Sequence, residues 1–182
     1  PVLVDFEFNH TCVNGSANFI ADTAIMNEED ITSWAWDFGD GNTSIQQNTV
    51  NVYAAPGDYK VTLTVTDISG CTASKTRNVT VNPLPVAMFN VSQMPCASEP
   101  VHFDDVSAAY AGFISEWNWD FGDGNTQTIL HPANPDTDHT YTNAGTFTVK
   151  LTIKASDSCI AERFETIVIN PAPTANFDFE NP

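Results

Sequence analysis

Four aspartates, Asp37, Asp40, Asp120 and Asp123, stand in two identical Asp-Phe-Gly-Asp-Gly settings and are the side chains best placed to do chemistry. Carboxylates so close together could hold a divalent cation. Each setting offers only two of them, however, and calcium takes about six to eight oxygen ligands. An Asp beside Gly commonly accepts backbone N–H bonds and fixes a turn, and that structural role is the reading these four receive. The four histidines, His10, His102, His131 and His139, share no spacing. No serine or cysteine stands in a nucleophile elbow, and neither a His-x-x-Glu-His motif nor a Gly-rich phosphate loop occurs. Catalysis has no starting group, so the chain reads as a non-enzyme.

The cysteines are the remaining reactive groups. Cys12 and Cys96 follow a first strand, and Cys71 and Cys159 precede a last one. The expected bonds are Cys12–Cys71 and Cys96–Cys159, each joining the two ends of one sandwich and stabilising it by roughly 4 kcal/mol. A zinc site would want Cys-x-x-Cys or a close Cys/His pair, and neither is present. Paired cysteines imply an oxidising, extracytoplasmic setting.

The elements that position these groups come in two copies. Trp34-Ala-Trp36-Asp37-Phe38-Gly39-Asp40-Gly41-Asn-Thr43 returns as Trp117-Asn-Trp119-Asp120-Phe121-Gly122-Asp123-Gly124-Asn-Thr126, with one difference. Trp, Trp and Phe at alternate positions face one side of a strand, and Gly-Asp-Gly suits the tight turn that follows. This parity favours burial of the tryptophans over an exposed sugar-stacking platform. Tyr110 and Phe113 belong to no alternating strand and are the better candidates for surface contact.

Around the motif, short alternating runs give strands near 2–8, 17–20, 59–67 and 73–81 in copy one. The five extra residues of copy two fall within 128–138, where Pro132 and Pro135 oppose regular structure. About seven short strands per copy and no helical period indicate an all-β chain of tandem immunoglobulin-like sandwiches. The domains are drawn as 1–82 and 83–170. Residues 171–182 read as a linker and the first strand of a third repeat, since Phe177 continues the series Phe6, Phe89. The joints Asn82-Pro-Leu-Pro85 and Asn170-Pro-Ala-Pro173 hold the backbone extended, which predicts a stiff string of domains.

Six Lys and Arg against 23 Asp and Glu leave a formal charge of −17. Nucleic acid and anionic membrane surfaces both need cationic patches and are excluded as partners. No stretch is apolar and long enough for a membrane helix, so no direct membrane insertion is expected of this segment.

Trp-x-Trp-Asp-Phe-Gly-Asp-Gly, followed by Tyr53, Gly57, Tyr59, Val61, Leu63 and Val65, resembles the PKD (polycystic kidney disease) domain. In copy two the later part is Tyr141, Gly145, Phe147, Val149, Leu151 and Ile153, with His139 at the family's His-x-Tyr position and Asn51 in its place in copy one. A position filled by either His or Asn suggests a structural hydrogen bond. The resemblance implies a sandwich fold. It also implies a candidate calcium site on the acidic stretch Asn27, Glu28, Glu29 and Asp30, confined to copy one. It points to an extracellular or cell-surface setting, as in large bacterial adhesins of the Bacteroidetes gliding-motility, type IX-secreted kind. Neighbouring PKD repeats would be the immediate partners, with surface polysaccharide or protein as ligands. The implied role is a stiff stalk in adhesion or gliding; the alternative is an accessory polymer-binding module of a secreted hydrolase.

Overall fold

The computed structural model describes residues 4–9, 11–22, 31–92 and 95–174. Every regular element among them is a strand. Copy one contributes β1 (Asp5–Phe8), β2 (Thr11–Cys12), β3 (Ser16–Asp22), β4 (Ile31–Asp37), β5 (Thr43–Ser44), β6 (Asn48–Val52), β7 (Gly57–Asp67) and β8 (Thr72–Asn82). Copy two contributes β9 (Phe89–Val91), β10 (Pro100–Asp105), β11 (Ile114–Asp120), β12 (Thr126–Leu130), β13 (Thr137–Thr140), β14 (Gly145–Ala155) and β15 (Ile160–Ile169).

Each copy is two sheets around its own core. In copy one the sheets run β1-β3-β6 and β2-β8-β7-β4-β5; in copy two they run β13-β10-β9 and β12-β11-β14-β15. Period-two alternation sets which side chains enter. Along β3, Ala17, Phe19 and Ala21 are buried while the residues between them are exposed, and β7 buries Val61, Leu63 and Val65 with half-buried threonines between them. Trp36 sits opposite Leu63, and Trp119 opposite Leu151. The tryptophan at this position anchors the core. Trp36 meets Phe6 edge-on at 5.1 Å and Phe19 at 5.7 Å, and Trp119 meets Phe89 at 5.1 Å and Phe103 at 5.6 Å. Such aromatic pairs add to the stabilisation that burial alone gives.

Two expectations change. The 128–138 insertion is irregular only in its middle, because β12 extends through Leu130, which pairs with Glu116, and β13 resumes at Thr137. The prolines interrupt the strands without removing them. The cysteine pairing is the larger correction. Cys12 bonds to Cys159, while Cys71 and Cys96 are free thiols. Neither Cys12–Cys71 nor Cys96–Cys159 can form within a copy. Cys12 pairs with Asn82 at one end of β8, and Cys71 precedes Thr72 at the other. At ~3.3 Å per residue that strand separates them by roughly 33 Å, whereas a disulfide holds its Cα atoms about 4.4–6.8 Å apart. Cys96, bridged to Asn170, and Cys159, just before Ile160, are separated by β15 in the same manner. By its internal contacts the chain divides into Pro1–Leu84 with Asp157–Cys159, and Pro85–Ser156 with Ile160–Pro182.

Charged contacts centred on Asp5 join the sheets of copy one, with Lys75 Nζ of β8 3.6 Å from its Oδ2 and Arg77 closer. Arg77 on β8 donates through Nε and Nη2 to both oxygens of Asp5 on β1, at 2.8 and 2.7 Å. The guanidinium also lies over the Phe6 ring. Hydrogen bonding from Arg77 is the main cause holding the Asp5 carboxyl at about 2, well below its ordinary 3.8. At the matching places copy two has Met88 and Glu165.

Two outcomes follow from this packing. Trp36→Ala or Trp119→Ala removes the largest buried side chain of its copy and is expected to cost about 3–5 kcal/mol, read as a shift in that copy's urea midpoint. Because Asp5 is depressed, its ion pair is complete above about pH 4 and is lost as pH falls toward 2. Both partners are substantially exposed, so Asp5→Asn should cost at most about 1 kcal/mol at neutral pH and should flatten the acid limb of copy one's stability curve.

Candidate functional site

The site most sharply defined in sequence is the turn that ends β4 and β11. Phe38 N–H donates to the Asn42 carbonyl, closing a Gly39-Asp40-Gly41 loop, and Phe121 N–H donates to Asn125 in the same way. Both glycines of each loop have positive φ: 76° and 93° at Gly39 and Gly41, and 78° and 92° at Gly122 and Gly124. The first of each pair carries a second constraint. A Cβ at Gly39 would stand 2.8 Å from the Lys60 carbonyl oxygen, and one at Gly122 would stand 2.5 Å from that of Thr148. The loop therefore presses against the backbone of β7 or β14, and only glycine fits. Around Gly41 and Gly124 space is open, so conformation alone selects glycine there.

The four aspartates fix this loop. Asp37 and Asp120 accept from the amides of Gly39 and Gly122 at 2.9 and 3.0 Å. Asp40 accepts from the Asn42 amide and side chain, and Asp123 from those of Asn125. The Oδ2 of Asp40 takes a further bond from Asn51 Nδ2, and that of Asp123 lies 2.8 Å from His139 Nε2. The position that alternates between Asn and His thus makes one and the same bond. Burial works against the Asp123 anion, but the bonds from His139 and Asn125 outweigh it and lower the carboxyl below its usual range. These carboxylates are spent on internal donors. No group of three or more His, Cys, Asp or Glu placed to hold a metal occurs among the described residues. Asn27, Glu28, Glu29 and Asp30 lie outside them.

Beneath the loop, Tyr53 and Tyr141 are fully buried and donate to the carbonyls of Phe38 and Phe121 at 3.2 and 2.9 Å. Burial pushes the Tyr53 phenol up to about 12 and the Tyr141 phenol upward as well. Both stay protonated as donors. Sequence reasoning placed these tyrosines in the motif without seeing that their hydroxyls tether the aromatic strand. It also missed Asn42 and Asn125, whose invariance between the copies was the available signal.

The tryptophans sit as their parity requires. Trp36 and Trp119 are buried and give their Nε1 hydrogens to the carbonyls of Gln46 and Pro135. The outer pair differs between the copies. Trp117 donates to Asp105 at 2.9 Å. Ala21 holds the corresponding register, opposite Phe6 as Asp105 is opposite Phe89, and Trp34 Nε1 is buried with no partner among the described residues. Tyr110 and Phe113 are 69% and 49% exposed, with Phe113 against the His131 ring.

The geometry separates the glycines experimentally. Gly124→Ala should cost about 1–2 kcal/mol, the ordinary penalty of a left-handed L-residue. Gly122→Ala should cost clearly more, because the added methyl also meets the Thr148 carbonyl. Urea midpoints of the two variants rank them.

The model of the family described as PKD domain matches residues 1–81 and 82–169. A microbial collagenase of Vibrio alginolyticus is 39% identical over 72 residues, which covers 40% of this chain and 9% of the collagenase. Human polycystin-1 is 27% identical over 180 residues, covering 84% of this chain and 4% of that protein. The chain therefore spans less than a tenth of the length of either relative. Among solved structures, the fibronectin(III)-like modules of Clostridium thermocellum CbhA superpose with a TM-score of 0.51 at 12% identity, covering 98% of this chain and all of that one. That likeness concerns the sandwich fold alone. By its sequence and by the two copies of the aromatic strand and its turn, the chain belongs to the PKD-domain family.

Proposed function

We propose that this chain is a non-catalytic spacer from a secreted or cell-surface protein, serving as a stiff stalk segment in adhesion or gliding. The proposed domains are 1–82 and 83–170, with 171–182 leading into a third repeat. One observation carries the reading: the motif aspartates, the polar groups most suited to binding, are all consumed in holding turns. What remains is a pair of stable sandwiches with an acidic surface, suited to separating other parts of a protein. The disulfide supports an extracytoplasmic setting. The partners are then adjoining repeats of the same chain.

A second reading rests on a difference between the copies. The outer face of β3 and β6 in copy one exposes Ile20, Val50 and Val52, each about half accessible. In copy two the matching strands carry His102, Asp104, Asp138 and Thr140. A hydrophobic strip on copy one suits an accessory module that binds polymer, protein or polysaccharide. The collagenase relative gives collagen fibrils as the first polymer to try.

Small-angle X-ray scattering with and without calcium tests the stalk reading. A maximum dimension near that of two domains end to end, unchanged by calcium, is expected; a compact or calcium-dependent particle argues against a pre-stiffened spacer. For the second reading, sedimentation with fibrils should deplete the chain, and Ile20→Ser with Val50→Ser should abolish the depletion. Equal recovery of both proteins in the supernatant removes it.

A further inference from the structure

The two free thiols occupy the same backbone settings as the two bonded ones. Cys12 lies beside Asn82, where Val13 N–H donates to the Asn82 carbonyl at 2.8 Å and Asn14 N–H to that of Tyr53 at 2.9 Å. Cys96 lies beside Asn170, where Ala97 N–H donates to Asn170 at 2.9 Å and Ser98 N–H to Tyr141 at 2.8 Å. Asn14 and Ser98 share a left-handed φ, 61° and 69°. The other two cysteines match as well. Cys71 and Cys159 each follow a left-handed residue, Gly70 or Ser158, in the turn of the long hairpin. Each donates its amide to an aspartate of that turn, Cys71 to Asp67 at 2.8 Å and Cys159 to Asp157 at 3.1 Å.

The chain thus holds two kinds of cysteine site, one beside the last strand's end and one in the hairpin turn. Each copy has one of each, too far apart to bond with each other. The single disulfide joins the strand-end cysteine of copy one to the turn cysteine of copy two, the copy that follows it in sequence. Its unpaired counterparts are a turn cysteine in the first copy, Cys71, and a strand-end cysteine in the second, Cys96. Cys71 is exposed and Cys96 half-buried, so both are open to a partner.

We propose that Cys71 and Cys96 are half-cystines of two further bonds of the same kind: Cys71 pairs with the strand-end cysteine of a PKD copy preceding it, and Cys96 with the turn cysteine of a copy following it. The stapling runs from copy to copy and never within one. It rests on the reading of the chain as part of a longer repeat array. Formation follows thiol–disulfide exchange: two thiols reduce one small-molecule disulfide such as oxidised glutathione, giving one protein disulfide and two glutathione thiols. The two electrons and two protons leave with the glutathione.

The test joins two lengths of the chain through its own linker, residues 1–173 running directly into Leu3 of a second length. This restores after Asn170 the junction that follows Asn82. The four-copy protein is refolded in a glutathione redox buffer, alkylated with iodoacetamide, digested without reduction and mapped by mass spectrometry. With Cys12–Cys159 formed in each length, four thiols would remain free if Cys71 and Cys96 stayed unpaired. The expected result is two, with a cross-linked peptide carrying Cys96 of the first length and Cys71 of the second. Cys96→Ser in the first length should abolish that peptide and leave both Cys12–Cys159 bonds. Four alkylated thiols, a Cys12–Cys71 bond within a copy, or absence of Cys12–Cys159 overturns the proposal. Scattering from the same protein reports separately on the spacer reading, which stands or falls by shape whatever the bonds do.

Discussion

The close approach of one glycine to one strand governs each copy. Gly39 lies against the backbone of Lys60, and Gly122 against that of Thr148, at distances no side chain could share. With the loop seated there, the end of the aromatic strand stays close to its neighbour. The carbonyl before the glycine can then meet the buried tyrosine hydroxyl, and the stacked Trp36–Phe38 and Trp119–Phe121 rings face the core together. The aspartates around the loop serve that seat. They supply acceptors for its turning backbone amides and so fix the turn.

This arrangement also explains why the motif looks chemical while its polar groups hold turns. Carboxylates, an imidazole and a phenol converge within one small region of copy two, as they would in many active centres. Each is saturated by a neighbour in the same loop or strand. His139 lies flat against Phe121 and is bonded to Asp123, and Tyr141 is committed to a carbonyl. In copy one, Asn51 takes the place of the histidine and preserves the bond without any titrating group. A position that tolerates that exchange is there for its donor.

The fold was legible because strand parity is a local property. Trp34, Trp36 and Phe38, or Tyr59, Val61, Leu63 and Val65, declare their face within a few residues. The turn was legible because positive φ at two glycines is also local. The cysteines were misread for the complementary reason. Matching positions in two copies showed that the sites were equivalent, but not at which end of a hairpin of two 11-residue strands each lay. Pairing is a long-range fact, and local pattern carries no distance. That Trp34 lacks the aspartate partner of Trp117 was likewise invisible, since it depends on Ala21 facing the position that Asp105 fills in the other copy across a register set by Phe6 and Phe89.

One modest feature bears on how such a chain would carry tension. The short β2 runs parallel to the last strand of its copy, and Cys96 bridges Asn170 in the same parallel sense. Val13 and Ala97 each grip the carbonyl of the residue at which their copy ends. A pull applied through Asn82 or Asn170 acts along that strand, across the direction of its hydrogen bonds. It must therefore slide the strand past its neighbours and strain several bonds together, instead of peeling them open one at a time. Antiparallel pairing at the same place would let the end unzip. The parallel sense of a two-residue strand thus favours resistance in shear at this end over unzipping.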